Sequence, residues 1–248
     1  MYIIEKFGTI DPVEILNRLG GYYQCPKDDQ GRRLGPLVGY AARDEEGRQL
    51  VGDVYANFAL AEEQPLIIKD LAFVLRWKLL NSFPAMTQFV FCGAPLGGIT
   101  LAAMLGADSS CRFVYPEKKV IETATASSRE KSQLVFNRHQ VRKGDQVVIV
   151  EDVCNNFSTT GQLINLIEEG GGKRVVAIAC LLNRSPAVDR SFSHMGRSVP
   201  VVALVRKILP EYWQDDPAVT EDLAAGNVVW KPKDEWSRLM TAMKTADH

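Results

Sequence analysis

Two adjacent carboxylates, Glu151 and Asp152, follow the apolar run at residues 147–150. A polar segment comes next, and an amphipathic pattern begins at Gln162. The run predicts a buried strand, and the pattern predicts a helix that ends at glycines 170–172. Ligands of open α/β sheets bind where strands end and helices begin, because helix N-termini attract phosphates. Since carboxylates accept hydroxyl groups, the segment predicts a ligand with a phosphate and a sugar.

A second glycine-rich turn lies at residues 93–98, between an apolar run at 89–92 and a helical pattern at 99–105. Alone it is weak evidence, because such turns are common in α/β folds. Its place one strand–helix unit before the acidic pair makes it more informative. Two phosphate-binding turns at neighbouring strand ends fit a ligand that is phosphorylated at two positions.

Other interpretations of the acidic pair are a helix N-cap with a surface acid, or the acidic residues of a Walker B motif. The sequence has no GxxxxGK[ST] motif to accompany a Walker B strand. A dinucleotide-binding Rossmann domain is a third interpretation. Neither glycine-rich turn has the GxGxxG spacing that this fold requires.

The rest of the core alternates strands with helices. Further strands are predicted at residues 111–115, 174–182 and 199–204, and a further helix at 70–81. Residues 117–144 are polar and weakly patterned, which is typical of a functional loop. Successive strand, helix and strand patterns predict a βαβ unit and a right-handed crossover. The predicted fold is therefore α/β, with a central parallel sheet flanked by helices.

Composition limits the function classes. Of 248 residues, 46% are hydrophobic and 24% charged, and the formal net charge is −1. This balance creates no field that favours nucleic acid or an acidic membrane, so neither partner is expected. No secretory signal and no apolar run of membrane-spanning length is apparent. Five scattered cysteines without metal-ligand spacing indicate a reducing cytoplasm.

The chain is predicted to have three parts. Residues 1–65 are rich in glycine, tyrosine and charge, and they predict a small N-terminal hood of short strands and turns. Residues 66–210 contain the α/β core. Residues 211–248 predict a helical tail that packs on this core.

The acidic segment resembles the phosphoribosyl pyrophosphate (PRPP) motif of type I phosphoribosyltransferases. It reads Val-Val-Ile-Val-Glu-Asp-Val at residues 147–153, followed by Thr-Thr-Gly at 159–161. Residues 91–102, Phe-Cys-Gly-Ala-Pro-Leu-Gly-Gly-Ile-Thr-Leu-Ala, are similar to the pyrophosphate loop of that family. The resemblance covers residues 50–205, and the layout is most similar to that of orotate phosphoribosyltransferases.

The resemblance implies roles for the matching residues. Glu151 and Asp152 would hold the ribose 2′- and 3′-hydroxyls, and Lys119, beside Lys118, would contact the pyrophosphate. Glu151, Asp152 and Lys119 are the implied catalytic residues. The 5′-phosphate would bind Ser158, Thr159, Thr160 and Gly161. The pyrophosphate would also contact Ala94, Pro95, Leu96, Gly97 and Gly98.

Two further groups of candidates follow from the resemblance. Residues 120–131 would form a flexible catalytic loop, and the cationic candidates in and after it are Arg129, Lys131, Arg138 and His139. For Arg138 and His139, a solvated turn and a structural histidine remain open alternatives. Residues that would shape the base pocket are Tyr55, Asn57 and Phe58, together with Lys27.

The implied reaction transfers ribose 5-phosphate from PRPP to a nitrogenous base, orotate or another nucleobase, and releases pyrophosphate. Mg²⁺ would bind through PRPP, with no direct protein ligand required. A homodimer is implied as well.

Three departures from the family pattern stand out. The phosphate loop has an insertion of about four residues, at 154–158. Gly97 stands where the family usually has a lysine, and Lys119 is followed by Val120 and Ile121 instead of Asp-His. These departures motivate a second hypothesis, a non-catalytic regulatory protein that binds PRPP or a nucleotide on the same fold.

Overall fold

A computed structural model describes residues 1–84, 88–122, 131–169 and 171–246. The helices are α1 (Tyr2–Phe7), α2 (Pro12–Arg18), α3 (Ala59–Glu62), α4 (Pro65–Ser82), α5 (Gly98–Ser109), α6 (Ser158–Glu168), α7 (Thr220–Ala224) and α8 (Trp236–Ala246). The strands are β1 (Tyr22–Gln24), β2 (Leu37–Arg43), β3 (Gln49–Gly52), β4 (Val54–Ala56), β5 (Val90–Gly93), β6 (Arg112–Val114), β7 (Glu117–Glu122), β8 (Lys131–Val135), β9 (Gln146–Cys154), β10 (Arg174–Asn183), β11 (Ser191–His194), β12 (Arg197–Arg206) and β13 (Val228–Val229).

The chain divides into two compact units. The first contains Met1–Pro12 and Glu62–Lys207, and the second contains Val13–Ala61 and Ile208–His248. Each unit therefore joins segments that are distant in sequence. The division into hood, core and tail stays a prediction.

The first unit is built on a six-stranded sheet in the order β11-β12-β10-β9-β5-β6. All its neighbours are parallel except the edge pair β11 and β12. The central strands are continuous apolar runs because both of their faces are covered. The predicted α/β fold with a central parallel sheet is confirmed.

Helices α4, α5 and α6 cover this sheet. Helix α4 turns six apolar or small side chains inward, and it begins earlier than predicted because Pro65 occupies its first turn, where proline loses no hydrogen bond. Helix α6 buries Leu163, Ile164 and Ile167 against the core. None of the helices in the described part of the chain combines the length and the apolar character that a bilayer crossing demands.

Three elements of the first unit differ from the sequence-based expectation. Strand β9 extends to Cys154, because its pairing with β10 continues through Val153 and Cys154. The polar segment expected to be a loop contains an antiparallel hairpin formed by β7 and β8. Helix α6 begins at Ser158, four residues before the predicted start at Gln162.

The second unit contains two small sheets. In one, β2 pairs with β3 and, in parallel, with β13 from the C-terminal segment. In the other, β1 pairs with β4. Tyr23 is fully buried in its core, and Leu239 of α8 packs there as well. The C-terminal segment is thus part of the same fold as residues 13–61.

Candidate active site

Strand β9 places the two carboxylates beyond the end of its neighbour β5. The last pair between these strands is Gly93 with Val150, whereas β10 still pairs with Glu151 through Cys180. The prediction that the acids follow the strand was therefore wrong in detail, because both lie within β9. They lie at the carboxyl end of the sheet. There β9 no longer pairs with β5, and the glycine-rich turn at residues 94–98 lies beside it instead.

The two acids differ in their surroundings. Burial, followed by the negative charge of Asp152, raises the pKa of Glu151 well above its usual range. Asp152 accepts a hydrogen bond from the N–H of Val153 through Oδ1 at 2.8 Å. An acid that is costly to ionise gains most from a ligand that brings hydroxyl donors or positive charge.

The first turn of α6 contains Ser158, Thr159, Thr160 and Gly161. The N–H of Ser158 donates to Asn156 Oδ1 at 3.1 Å, and that of Gly161 donates to the carbonyl of Phe157 at 2.8 Å. The N–H groups of Thr159 and Thr160 have no acceptor among the described residues. Two free donors at the positive end of a helix dipole form an anion-binding turn.

The glycine-rich turn at residues 94–98 folds tightly onto the end of β9. The N–H of Ala94 donates to the carbonyl of Val150 at 2.9 Å, and the peptide bond between Pro95 and Leu96 is cis. A Cβ atom at Gly98 would lie 1.9 Å from the carbonyl oxygen of Val150. Only glycine fits at position 98, so the turn approaches the strand as closely as a backbone can.

Gly97 explains why the expected lysine is missing. A Cβ atom there would lie 2.4 Å from Cγ and Oδ2 of Asp152. Any side chain at this position would have to displace the Asp152 carboxylate. The absence of a side chain therefore brings the glycine-rich turn and the acidic pair into direct contact.

Lys118 and Lys119 lie on β7, opposite Leu134 and Gln133 of β8. Both lysines are exposed. They are neighbours in a strand, so their side chains leave opposite faces of the hairpin. Both lysines therefore lie in a strand of a hairpin, where the sequence predicted a loop.

Arg138 and His139 contact the segment that leads into β7. Arg138 pairs with Glu117 at 2.9 Å, and His139 lies 3.3 Å from the carbonyl of Tyr115 and against its ring. These contacts support the structural alternative for both residues. Arg129 lies outside the described residues, and of Lys131 only the backbone, in β8, is described.

The four base-pocket candidates all belong to the second unit. Lys27 pairs with Asp53 at 2.8 Å, and the ring of Tyr55 lies 6.2 Å from that of Trp236. Asn57 is buried, and its Oδ1 has no hydrogen-bond partner in the described part of the structure. Phe58 is only 1% exposed.

Sequence reasoning missed the role of Phe157 within the insertion. Phe157 is buried and adopts a left-handed backbone conformation, with φ of 59°, immediately before α6. An aromatic residue rarely adopts this conformation, so no sequence pattern predicts it. Its ring packs in the same core as Cys154 and Leu163.

These groups together provide a compact chemical site. Two carboxylates at the end of β9 lie between an anion-binding helix turn and a glycine-rich turn. Such a site can hold hydroxyl groups at its centre and an anion on either side. Among the described residues, no group of three or more histidine, cysteine or acidic side chains is arranged to hold a metal ion.

Sequence comparison finds relatives that are named orotate phosphoribosyltransferases. An orotate phosphoribosyltransferase of Caldicellulosiruptor saccharolyticus is 27% identical over 148 residues, which cover 59% of this chain and 68% of that protein. One from Carboxydothermus hydrogenoformans is 29% identical over 159 residues, covering 64% and 73%. By sequence, the chain is similar to the orotate phosphoribosyltransferases. The resemblance to type I phosphoribosyltransferases is confirmed.

No protein-family model matches the sequence. Among solved structures, orotate phosphoribosyltransferase from Aeropyrum pernix aligns with a TM-score of 0.47 and 17% identity, covering 86% of this chain and 98% of that one. Adenine phosphoribosyltransferase from Saccharomyces cerevisiae aligns with a TM-score of 0.49 and 15% identity, covering 68% and 94%.

Proposed function

We propose that the protein transfers ribose 5-phosphate from PRPP to a nitrogenous base and releases pyrophosphate. The observation that supports PRPP as the ligand most directly is the closeness of Gly97 to Asp152. It joins a glycine-rich turn to an acidic pair that is followed by an anion-binding helix turn. A 5-phosphorylated ribose with a pyrophosphate at its other end matches this order of groups.

In this proposal, Glu151 and Asp152 accept the 2′- and 3′-hydroxyls of the ribose. The first turn of α6, residues 158–161, binds the 5′-phosphate through N–H and hydroxyl groups. Residues 94–98 and the exposed Lys119 contact the pyrophosphate, and Lys118, on the opposite face of the hairpin, adds positive charge to the same subsite. The sugar is thereby fixed at both ends, which removes much of the entropic cost of the reaction.

The reaction breaks the bond between ribose C1 and the pyrophosphate oxygen, and a base nitrogen forms the new bond. That nitrogen loses its proton, which the departing pyrophosphate or solvent accepts. Positive charge develops on the ribose ring as pyrophosphate leaves with the electron pair. The carboxylates of Glu151 and Asp152 stabilise that charge, while Lys119 stabilises the leaving anion. The protein thus acts through position and electrostatics.

Mg²⁺ fits this donor set. It is commonly bound by one or two carboxylates together with substrate phosphates and waters. Glu151 and Asp152 are the residues that would face it. Such an ion would offset the negative charge of the pyrophosphate.

The names of the relatives make orotate the first base to test. Lys27, Tyr55 and Asn57 are the candidates for base contacts, and the buried Oδ1 of Asn57 offers an acceptor. Phe58 would act by packing. The segment 120–131, with Arg129 and Lys131, is proposed to cover the site and exclude water. Arg138 and His139 would support the base of this segment.

A non-catalytic binder of PRPP or a nucleotide is the second candidate. It is favoured by the close contact at Gly97, which leaves no room for the lysine that the family usually has there. One cation fewer at the pyrophosphate weakens the stabilisation of the leaving group.

We also propose a homodimer in the cytoplasm. Leu66, Phe73 and Trp77 of α4 are 53%, 48% and 63% exposed and share one helix face. Adjacent exposed apolar side chains of this kind are typical of protein interfaces. The five cysteines are free thiols, as is usual in a reducing compartment. Light scattering of the Trp77→Lys variant tests the dimer, which should dissociate.

A pyrophosphate-release assay tests the reaction. The protein is incubated with PRPP, Mg²⁺ and, in turn, orotate, uracil, adenine, guanine and hypoxanthine. Turnover is expected with one of these bases and should be lost when Glu151 and Asp152 are both changed to alanine. Exposed Glu169→Ala is the control, and it should retain activity. PRPP binding without turnover on any base would select the regulatory alternative, and no PRPP binding would refute both.

A further inference from the structure

The insertion at residues 154–158 connects the phosphate-binding turn to the edge of the sheet. Phe157, immediately before α6, is 3% exposed. Its ring stacks on Phe192 of β11, with centroids 5.0 Å apart and an interplanar angle of 22°. The residue that starts the helix is therefore fixed by a strand more than thirty positions later in the chain.

The stack continues along β11. The rings of Phe192 and His194 lie 5.7 Å apart at an angle of 20°. Strand β11 is held in register by its antiparallel pairing with β12, in which Phe192 lies opposite Val199. Three aromatic rings thus form one continuous row between the sheet edge and the start of α6. We call Phe157, Phe192 and His194 the aromatic row.

The same row also contacts α6 itself. A Cβ atom at Gly161 would lie 3.2 Å from Cε1 of His194 and 3.9 Å from Cζ of Phe192. His194 Nε2 lies 2.7 Å from Asn165 Oδ1, one helical turn further. Because Gly161 has no side chain, the rings lie close to the backbone of the first turn. The row therefore contacts the helix at its start, at its first turn and at its second turn.

We propose that Phe157 and Phe192 are positioning residues for the phosphate group of the ligand. They hold the first turn of α6 so that the N–H groups of Thr159 and Thr160 point at a fixed place. This inference rests on the proposed binding of a sugar phosphate to that turn. A loop lengthened by an insertion has more conformations to lose on binding, and the row removes that loss beforehand.

A role in packing alone makes a different prediction. Phe157 is part of the main core, so its loss would lower stability and disturb every ligand subsite alike. A positioning role affects the phosphate turn and leaves the glycine-rich turn at residues 94–98 unchanged. Two ligands that each occupy one subsite can distinguish these roles.

The test measures the affinity of the full-length protein for ribose 5-phosphate and for inorganic pyrophosphate, each with Mg²⁺, by titration calorimetry. Phe157→Leu and Phe192→Leu should weaken ribose 5-phosphate binding about tenfold or more and leave pyrophosphate binding within about twofold. Phe192→Tyr keeps an aromatic ring at a half-buried position and should restore the affinity.

Phe89→Leu is the control for stability. Phe89 forms a ring pair with Phe91, 5.9 Å apart, and has no part in the aromatic row. It should lower the melting temperature without a selective effect on either ligand. Equal losses for both ligands in Phe192→Leu, or no loss for ribose 5-phosphate, would overturn the inference. If the unaltered protein bound neither ligand, the proposed function itself would fail.

Discussion

Asp53 in the second unit is buried and Glu151 in the first is half-buried, and their surroundings shift their pKa values in opposite directions. Burial tends to raise the pKa of Asp53, but hydrogen bonds from Arg33 and Lys27 outweigh it and lower the pKa. Burial raises the pKa of Glu151, and the adjacent Asp152 raises it further. The protein supplies Asp53 with two cations, whereas among the described residues the charged group that shifts the pKa of Glu151 is another acid.

Of the two cations that pair with Asp53, Arg33 has several further structural contacts. Arg33 is 10% exposed, pairs with Asp53 and also with Asp222 at 3.0 Å. It donates to the carbonyl of Ala218 and lies over the ring of Tyr212. This network joins residues 13–61 to the C-terminal segment within the second unit.

The contrast separates a structural carboxylate from a functional one. A buried acid with built-in cations is satisfied in the free protein. A half-buried acid beside another acid gains most from a ligand that brings hydroxyl donors or positive charge. Perturbed acidity alone would not distinguish the two, but its direction and cause do.

The largest effect is expected on the free energy of unfolding, when a cation is removed from the Asp53 network. Arg33→Met should destabilise the protein by about 3–5 kcal/mol, because it leaves the buried Asp53 and the half-buried Asp222 short of a cation. Urea unfolding followed by tryptophan fluorescence measures this loss. Arg32→Met is the control, since Arg32 is 74% exposed in its pair with Asp28, and it should cost less than about 1 kcal/mol. Equal losses of stability in the two variants would contradict a structural role for the pair of Arg33 and Asp53.

A smaller effect is expected where the acidic pair contacts the glycine-rich turn at residues 94–98. Gly97→Ala should raise KM for PRPP about 10- to 100-fold, because the new methyl group displaces the Asp152 carboxylate. Steady-state kinetics and the melting temperature are measured together. The same change in an Asp152→Ala background should have little further effect, since the displaced group is gone. Additive losses would show that Gly97 acts independently of Asp152.

A third prediction concerns pH. The raised pKa of Glu151 means that the folded protein keeps this proton above pH 4.3 or so, where the unfolded chain releases it. Stability therefore falls as pH rises from that value toward the folded pKa. Glu151→Gln should melt about 2–4 °C above the unaltered protein at pH 8, with little difference at pH 4. Exposed Glu63→Gln should show no such trend, and a constant difference for Glu151→Gln would contradict the assignment.

The pH dependence of stability that Asp53 contributes has the opposite sign. Its lowered pKa contributes stability above about pH 4, and this contribution is lost as pH falls through the folded pKa.

The smallest effect is expected at Lys27, which is 39% exposed. Lys27→Met should cost no more than about 1 kcal/mol, because Arg33 still neutralises Asp53. Urea unfolding checks this value, and KM for the base is measured in parallel. A raised KM with near-normal stability would support a role for Lys27 at the base, whereas a large loss of stability would assign it to the Asp53 network.

The sequence predicts the centre of the first unit well and its margins poorly. Continuous apolar runs identified β5, β9 and β10. Parallel strands whose two faces are both covered consist almost entirely of apolar residues. The start of α6 was missed because Ser158, Thr159 and Thr160 are as typical of loops as of a first helical turn. Strands β7 and β8 were missed because a solvated hairpin lacks an apolar pattern.

The site shows the same division. The acidic pair and both turns are local patterns, and the sequence contains them in full. The aromatic row joins Phe157 to Phe192, and the Asp53 network joins Arg33 to Asp222 across 189 positions. No local pattern records such contacts, because they arise only when the chain has folded.

The composition of the second unit from two distant segments has a consequence for synthesis. Residues 13–61 leave the ribosome early, but β2 lacks its parallel neighbour β13 until residue 229 has been made. The ion pair of Arg33 with Asp222 likewise cannot form until residue 222 has been made. The α/β unit can complete its sheet with residue 206, so it has the opportunity to fold first. Residues 13–61 must then remain soluble until residue 229 has been translated, which suits their charged residues.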